Sequence, residues 1–252
     1  MYDTGQGVPL DHAAAASWYR KAAEQGVATA QSNLGFLYSH GRGVPRDPAA
    51  AVSWYRKAAE QGYAEAQNNL GVMYEGGQGV AQDYAAAVSW YRKAAELGHA
   101  KAQHNLGLMY NHGRGVPRDY AAAAAWYLKA ADQGDTAAQV KLGILYGTGQ
   151  GVPRDPAAAA SWFRKAADQG EAAGQYNLGI LYASGKGVPR DYVQAHKWFN
   201  LASLRYGTSD KESRADAVRD RDIVAAKMTP AQIAEAQRLV QEWKPRSDGS
   251  KP

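Results

Sequence analysis

The fold is decided by the stretch GRGVPRDPAAAVSWYRKAAEQG, which runs from Gly41 to Gly62. A loop of two glycines and a proline leads through an aspartate into an alanine-rich run that closes on a glycine. Further copies of it, the last one degraded, begin at Gly5, Gly77, Gly113, Gly149 and Gly185. A tryptophan recurs every 36 residues, at Trp18, Trp54, Trp90, Trp126, Trp162 and Trp198. A fixed period of this size is typical of a solenoid.

Each copy predicts a pair of helices. Asp47 can accept a hydrogen bond from a free backbone N–H, and Pro48 suits the first helical position, so a helix begins here. Gly62 predicts its end, because glycine takes the left-handed cap conformation without strain. A second helix, AEAQNNLGVMY, follows after a short turn. No alternating strand pattern occurs, and the fold class is therefore all-α.

Small residues alternate with large ones in both helices. The alanines allow close helix packing, and the glycine after leucine is expected at a helix crossing; it recurs at Gly35, Gly71, Gly107, Gly143 and Gly179. The tryptophan is expected to fill the space between these small residues as a buried side chain, worth ~3–5 kcal/mol on truncation to alanine.

The pattern AxAQxxLGxxYxxGxGVxxDxxxAxxWYxKAAxxG resembles the Sel-one-like repeat (SLR) family, a relative of the tetratricopeptide repeat, over about residues 1–207. The resemblance implies a right-handed α-solenoid that serves as a protein-interaction scaffold. In the family's convention the Leu-Gly helix is helix A and the tryptophan helix is helix B. Disulfides staple the helix pairs of secreted relatives, but this chain has no cysteine.

The chain is expected to have three parts. Residues 1–207 form the solenoid, which starts in the middle of a repeat; residues 208–244 form a C-terminal helical cap; residues 245–252 form a disordered tail. The start indicates either a fragment of a longer protein or a misassigned first codon. The compartment stays open between cytoplasmic and exported, since any signal peptide would lie upstream. No apolar run approaches the ~20 residues of a membrane span, which predicts a soluble protein.

Catalytic and metal-binding motifs are not found in the sequence. The GxGVP glycines could suggest a phosphate cradle, but they recur in every copy and favour a structural turn. His104 and His112 lie two turns apart on one helix, without an accompanying carboxylate on that face, and do not predict a metal site. We therefore expect no cofactor, no metal and no catalytic residue.

A surface is the better candidate for function. A helical wheel of helix A puts Ala30, Leu34, Leu37 and Tyr38 on the face against helix B. The opposite face carries three columns of residues that continue from repeat to repeat. The first column is Ser32, Asn68, His104, Val140 and Tyr176; the second is Asn33, Asn69, Asn105, Lys141 and Asn177; the third is Phe36, Val72, Leu108, Ile144 and Ile180. By resemblance to tetratricopeptide arrays, this face lines a concave groove open to solvent.

Each column has two interpretations. The apolar third column either is buried between successive A helices or receives side chains of a ligand. The asparagines of the second column either bond the neighbouring repeat or hold the backbone of an extended peptide. The first column varies most, either by drift or because it encodes selectivity. In the groove hypothesis the asparagines hold a peptide backbone and the apolar column receives the side chains of the peptide. Residues of the first column line the groove beside them, namely Ser32, Asn68, His104 and Tyr176.

The sequence therefore predicts a non-catalytic scaffold that holds a protein or peptide partner, of unknown identity, in this groove. An alternative is binding of nucleic acid or another anion along a loop edge that carries Arg42, Arg46, Arg114, Arg118, Arg154 and Arg190. It is less favoured, because the 29 basic and 24 acidic residues, net charge +5, are interleaved. An enzyme is the least favoured alternative, since the repeat pattern breaks only at the ends.

Overall fold

The computed structural model describes residues 11–246. Within this range it contains thirteen α-helices and no strand. The chain divides into two compact units, Met1–Asp119 and Tyr120–Pro252. The expected mid-repeat start at residue 1 and all but two residues of the expected disordered tail lie outside the described residues.

Eleven helices belong to the repeats. The B helices are α1 (His12–Glu24), α3 (Pro48–Glu60), α5 (Tyr84–Glu96), α7 (Tyr120–Asp132), α9 (Pro156–Asp168) and α11 (Tyr192–Arg205). The A helices are α2 (Ala28–His40), α4 (Ala64–Gly76), α6 (Ala100–His112), α8 (Thr136–Thr148) and α10 (Ala172–Ser184). The two C-terminal helices are α12 (Lys211–Ala225) and α13 (Pro230–Glu242). The prediction of an all-α solenoid of helix pairs with a 36-residue period is confirmed.

The helices begin and end where the sequence predicts. The Asp47 carboxylate accepts a hydrogen bond from the Ala50 backbone N–H at 2.9 Å, and Pro48 follows as the first helical residue. The B helix then ends before Gln61, and Gly62 turns the chain with a φ of +83°. The A helix α4 ends on Gly77, which takes the left-handed conformation. These caps give every helix pair the same short connections.

The second glycine of the GxGV loop lies against the start of an earlier B helix. Gly79 has a φ of +70°, and a Cβ atom built on it would lie 2.3 Å from the carbonyl carbon of Pro48. No side chain fits into this space. The loop is therefore a close contact between the end of one repeat and the first turn of the B helix before it, and this explains why the motif recurs in every copy.

The glycine after leucine lies at a helix crossing, as expected, and an aromatic ring occupies the crossing. A Cβ atom on Gly71 would lie 2.6 Å from the ring of Tyr91, in the following B helix. Gly143 has the same relation to Phe163, and Gly179 to Phe199. The glycine thus makes a recess for the aromatic residue that follows each tryptophan.

The expectation of a buried tryptophan is wrong for most repeats. Trp54, Trp90 and Trp162 are only half-buried, whereas Tyr91 is fully buried. The ammonium group of Lys93 lies 4.1 Å from the centre of the Trp90 ring, on the outer side of the helix. The residue after tryptophan is buried because its side chain points into the glycine recess. Tryptophan precedes it by one residue, so its side chain points in a different direction around the helix and stays partly exposed.

A buried glutamine ties each A helix to the B helix before it. The side-chain amide of Gln67 donates to the Ala59 carbonyl oxygen at 3.0 Å, across an otherwise apolar contact. The same bond, 3.1 to 3.2 Å long, recurs for Gln31, Gln103, Gln139 and Gln175. The Ala59 carbonyl oxygen also accepts from the Gly62 backbone N–H at 3.0 Å, so the glutamine amide adds a second hydrogen bond to a carbonyl group in the last turn of the B helix. The sequence analysis did not assign this role.

Both C-terminal helices pack on α11. Thr229 and Gln232 form a capping box at the start of α13. The Trp243 ring meets the Trp198 ring edge to face, with 6.3 Å between the ring centres. Trp198 is accordingly buried, unlike Trp54 or Trp90. A cap on the last repeat, over residues 208–244, remains our interpretation of these contacts.

His196 lies on α11, near Arg221 and Asp222 of α12. It is buried at a position that carries valine or alanine in the other repeats, and its Nδ1 has no hydrogen-bond partner among the described residues. Burial lowers the pKa of His196; the positive charge of Arg221 lowers it further, and Asp222 acts in the opposite direction. Protonation is therefore disfavoured in the folded state.

We expect the free energy of unfolding to fall as the pH drops from 7 to 5, because the unfolded histidine, with a pKa of about 6.5, then binds more protons than the folded one. The substitution His196→Val, which restores the residue found at Val52, should weaken this pH dependence. Urea unfolding of both proteins at pH 7, 6 and 5 measures it. Equal pH dependence of the two proteins would show that His196 is not the group responsible.

Candidate functional site

The structure places the three predicted columns at different depths. In the first column Ser32 and Asn68 are only 2% and 5% exposed, and Val140 is also buried. The expectation that Ser32 and Asn68 are open to solvent is therefore wrong. An A helix is covered by the next repeat as well as by its own B helix, and this column points toward that neighbour. His104 and Tyr176, from the same column, are half-buried.

Asparagines of the second column take part in bonds between A helices. The side-chain amide of Asn105 donates to the Asn68 side-chain oxygen at 3.0 Å, and that of Asn68 donates to the Asn69 oxygen at 3.3 Å. Asn177 donates to the Ala173 carbonyl oxygen of its own helix. These bonds favour the tie between repeats as the role of Asn105. The Asn33 side chain makes no hydrogen bond to another described residue, and it stays a predicted ligand contact.

The third column is the most open. Val72, Ile144 and Ile180 are 41%, 37% and 38% exposed, and Phe36 and Leu108 are half-buried. These side chains are thus not sealed between successive A helices, which was the alternative interpretation of this column. Ile144 and Ile180 lie in the second unit and the other three in the first.

A pocket of about 510 Å³ opens between α2 and α4, within the first unit. Its wall combines apolar, aromatic and polar side chains. They are Phe36, Ser39, His40, Arg46, Tyr55, Asn69, Val72, Met73 and Gln78. Of these, Phe36, Asn69 and Val72 were predicted. Arg46 was named only for the alternative of an anion-binding loop edge. Ser39, His40, Tyr55, Met73 and Gln78 were not predicted, because they come from the end of the A helix, the B helix, the packed face of the A helix and the loop.

One end of this pocket is aromatic and cationic. The His40 ring lies on the Phe36 ring with 4.1 Å between their centres, and the Arg42 guanidinium lies 5.2 Å from the centre of the Phe36 ring. The Nε–H of Arg46 donates to the Ser39 carbonyl oxygen at 3.1 Å, which caps the end of α2. Tyr55 forms the floor, and burial raises the pKa of its hydroxyl, so the phenol stays protonated at neutral pH.

The next repeat carries compensated charges at the equivalent place. Glu75 replaces Ser39, and its carboxylate lies 3.8 Å from the Arg114 guanidinium. The Tyr91 hydroxyl donates to the same carboxylate at 2.7 Å. Burial and this bond to Glu75 raise the pKa of Tyr91. Tyr91 lies on the B helix of the same repeat and Arg114 lies in the repeat that follows, so this half-buried carboxylate already has two partners within the protein.

A second, smaller pocket of about 240 Å³ lies in the second unit, where α12 packs beside α10. Ile180 lines one side of it, and Ile223 and Val224 of α12 line the other. The Tyr176 hydroxyl donates to the Asp220 carboxylate at 2.7 Å, which fastens α12 to α10. The helix α12 thus covers Tyr176 and part of the Ile180 surface, and the predicted groove face is narrower here.

The arginines of the loop edge serve several structural contacts. Arg46 and Arg154 cap the ends of their A helices through Nε, Arg114 lies near Glu75, and Arg190 lies over the Tyr192 ring. They are therefore not a uniform row of unpaired cations. Among residues 11–246, no group of three or more His, Cys, Asp or Glu residues could hold a metal ion. None of the helices described is both long and apolar enough to cross a membrane.

The repeated helix pairs define the class of this protein as an α-helical repeat protein. The family model of the Sel1 repeat matches residues 1–27, 28–63, 64–99, 100–135, 136–171 and 172–205, well over half of the chain. The chain belongs to the Sel1 repeat family, which confirms the resemblance seen in the sequence. Proteins of this family are generally non-catalytic scaffolds for protein interactions.

Two solved structures illustrate the similarity. A Sel1 repeat protein from Oxalobacter formigenes is 33% identical, with a TM-score of 0.72 over 87% of this chain and 89% of that one. A protein from Klebsiella pneumoniae, described as a Sel1 repeat protein, is 24% identical with a TM-score of 0.52, over 83% of this chain and 99% of that one, and it shows the fold alone. Both relatives are bacterial. No match is found among curated proteins.

Proposed function

We propose that this chain is a non-catalytic scaffold and that it holds a segment of a partner protein in the pocket between α2 and α4. The observation that carries the proposal is the exposure of Val72, at 41%, within a concave pocket rather than on a convex surface. A volume of about 510 Å³ lies within the range of protein ligand sites. It can accept one or two side chains of an extended or helical segment.

The polar groups of the wall support a peptide rather than a wholly apolar ligand. The Asn69 side-chain amide nitrogen has no acceptor among the described residues, and Gln78 lies beside it in the wall. These amides can bond the backbone of an extended segment while its side chain covers Val72 and Phe36. Asn33 and Leu108 extend the same face above and below the pocket. Neither a catalytic group nor a cofactor has a part in this function.

Val72→Asp tests the proposal, because a charge in the pocket should reject an apolar side chain without disturbing the core. Proteins captured from cells of the source organism by the wild-type chain should be identified by quantitative mass spectrometry. We expect at least one of them to lose about tenfold or more in capture by the variant, since hot-spot changes cost roughly 2 kcal/mol or more.

Leu128→Asp is the matched control. Leu128 is 39% exposed on the B helix α7, nearly the same as Val72, but it lies outside the pocket. The control should retain the partners that Val72→Asp loses, and both variants should melt within a few degrees of the wild type. If both variants keep every partner, or both lose the same ones, the pocket is not the binding site.

A further inference from the structure

We propose that the segment bound in the pocket between α2 and α4 is acidic as well as apolar: one apolar side chain covers Val72 and Phe36, and a neighbouring Asp or Glu pairs with Arg42 and Arg46. This inference rests on the proposed function and specifies the chemistry of the partner. The charges around the pocket carry it.

Among the residues that the structure describes, the wall of the pocket has a guanidinium and no carboxylate. Its nine lining residues include Arg46 but neither Asp nor Glu. Arg42 adjoins them over the Phe36 ring. Among the described residues, no carboxylate lies within salt-bridge distance of Arg42 or Arg46, whereas Arg114, two repeats after Arg42, has Glu75. Within the part of the chain that the structure describes, these two guanidiniums have no carboxylate partner, and an incoming carboxylate would supply one.

The structural task of Arg46 does not require an arginine. Gln82 occupies the equivalent position one repeat later, and its side-chain amide donates to the Glu75 carbonyl oxygen at 2.8 Å. This bond reproduces the cap that the Nε–H of Arg46 makes to Ser39. Arg46 therefore brings further N–H donors and a charge to the pocket wall beyond what the cap uses. Gln78 likewise replaces Arg42.

The two arginines are suited to a carboxylate on a side chain next to an apolar anchor. A guanidinium presents paired N–H donors that match the two oxygens of a carboxylate. Arg42 and Arg46 lie at the same end of the pocket, next to Phe36, while Val72 lies on the opposite helix. A bound segment that crosses from α4 to α2 would place its apolar residue on Val72, and the acidic residue next to it would then reach Arg42 and Arg46. Because both arginines are exposed to solvent, the acidic residue is expected to raise the affinity of the segment by only about tenfold.

Synthetic peptide pools test this directly. Each pool has one fixed leucine flanked by Asp or Glu, by Ser or Gln, or by Lys or Arg, with the other positions randomised and both ends blocked. A fourth pool is the Ser/Gln pool with a free C-terminal carboxylate. Retention of each pool is measured on immobilised full-length wild type, on Arg42→Gln/Arg46→Gln and on Val72→Asp. A charge-matched control, Arg56→Gln/Lys57→Gln, removes two cations from the B helix α3.

The wild type and the charge-matched control should retain the acidic pool about tenfold better than the neutral blocked pool. Arg42→Gln/Arg46→Gln should retain both equally and melt like the wild type, because glutamine is the native residue at positions 78 and 82. Equal retention of neutral or basic pools by the wild type, or preference for the free C-terminus alone, overturns the acidic-segment proposal. If Val72→Asp retains the pools as well as the wild type, the proposed binding site itself is wrong.

Discussion

Replacing Gly79 by alanine is expected to lower the free energy of unfolding by about 3–5 kcal/mol. This loss is the sum of the cost of a left-handed backbone at alanine and the cost of a steric clash. The new Cβ atom would lie 2.3 Å from the Pro48 carbonyl carbon, at a backbone φ of +70°. Relief of this contact requires the loop to move away from α3, which opens the connection between two repeats. Urea unfolding followed by circular dichroism measures the loss.

Gly62→Ala is the matched control for this prediction. Gly62 has a similar positive φ of +83°, but a Cβ atom on it would meet nothing within 4 Å. Only the backbone conformation then disfavours alanine, at about 1–2 kcal/mol. Equal losses for the two variants would mean that the GxGV glycine is needed for its conformation alone and not for the contact with the B helix.

Truncation of Tyr91 to alanine should cost about 3–5 kcal/mol, the range measured for large buried aromatic residues. The Tyr91 ring is fully buried and fills the recess at Gly71, so its removal leaves a cavity that the backbone cannot close. Thermal unfolding and urea unfolding both report this change. The loss should be accompanied by faster hydrogen exchange in α4 and α5.

Trp90→Ala, at the neighbouring position, should cost less, about 1–2 kcal/mol, because much of the indole is already in contact with water. The comparison decides which aromatic residue stabilises the repeat. If Trp90→Ala is the more damaging of the two, then tryptophan fills the core, as the sequence first suggested, and the packing described for Tyr91 is wrong.

The regular part of the fold follows from local sequence signals. The helix starts depend on Asp47 and its equivalents, and the turns depend on glycine, and both are properties of a few adjacent residues. The 36-residue period then repeats the same helix pair along the chain. The choice between Trp90 and Tyr91 as the buried ring depends instead on Gly71, a residue on another helix. A helical wheel of α5 alone does not contain that contact.

The site could be predicted only in part for the same reason. A wheel of one A helix correctly puts Val72 on an open face, because exposure there depends on its own helix pair. It also put Asn68 on that face, but the next A helix covers Asn68 through Asn105. The direction of the Arg46 side chain is set by the carbonyl oxygen of Ser39, which no sequence pattern specifies.

The central claim is that a partner segment lies in the pocket between α2 and α4. Nuclear magnetic resonance of the isotope-labelled chain, titrated with the peptide that the wild type retains most strongly, tests it most directly. We predict that the largest shift changes occur at Phe36, His40, Asn69 and Val72, and that they are lost in Val72→Asp. Changes centred instead on the outer Trp90 and Lys93 surface, with the Phe36 and Val72 signals unmoved, would contradict the account.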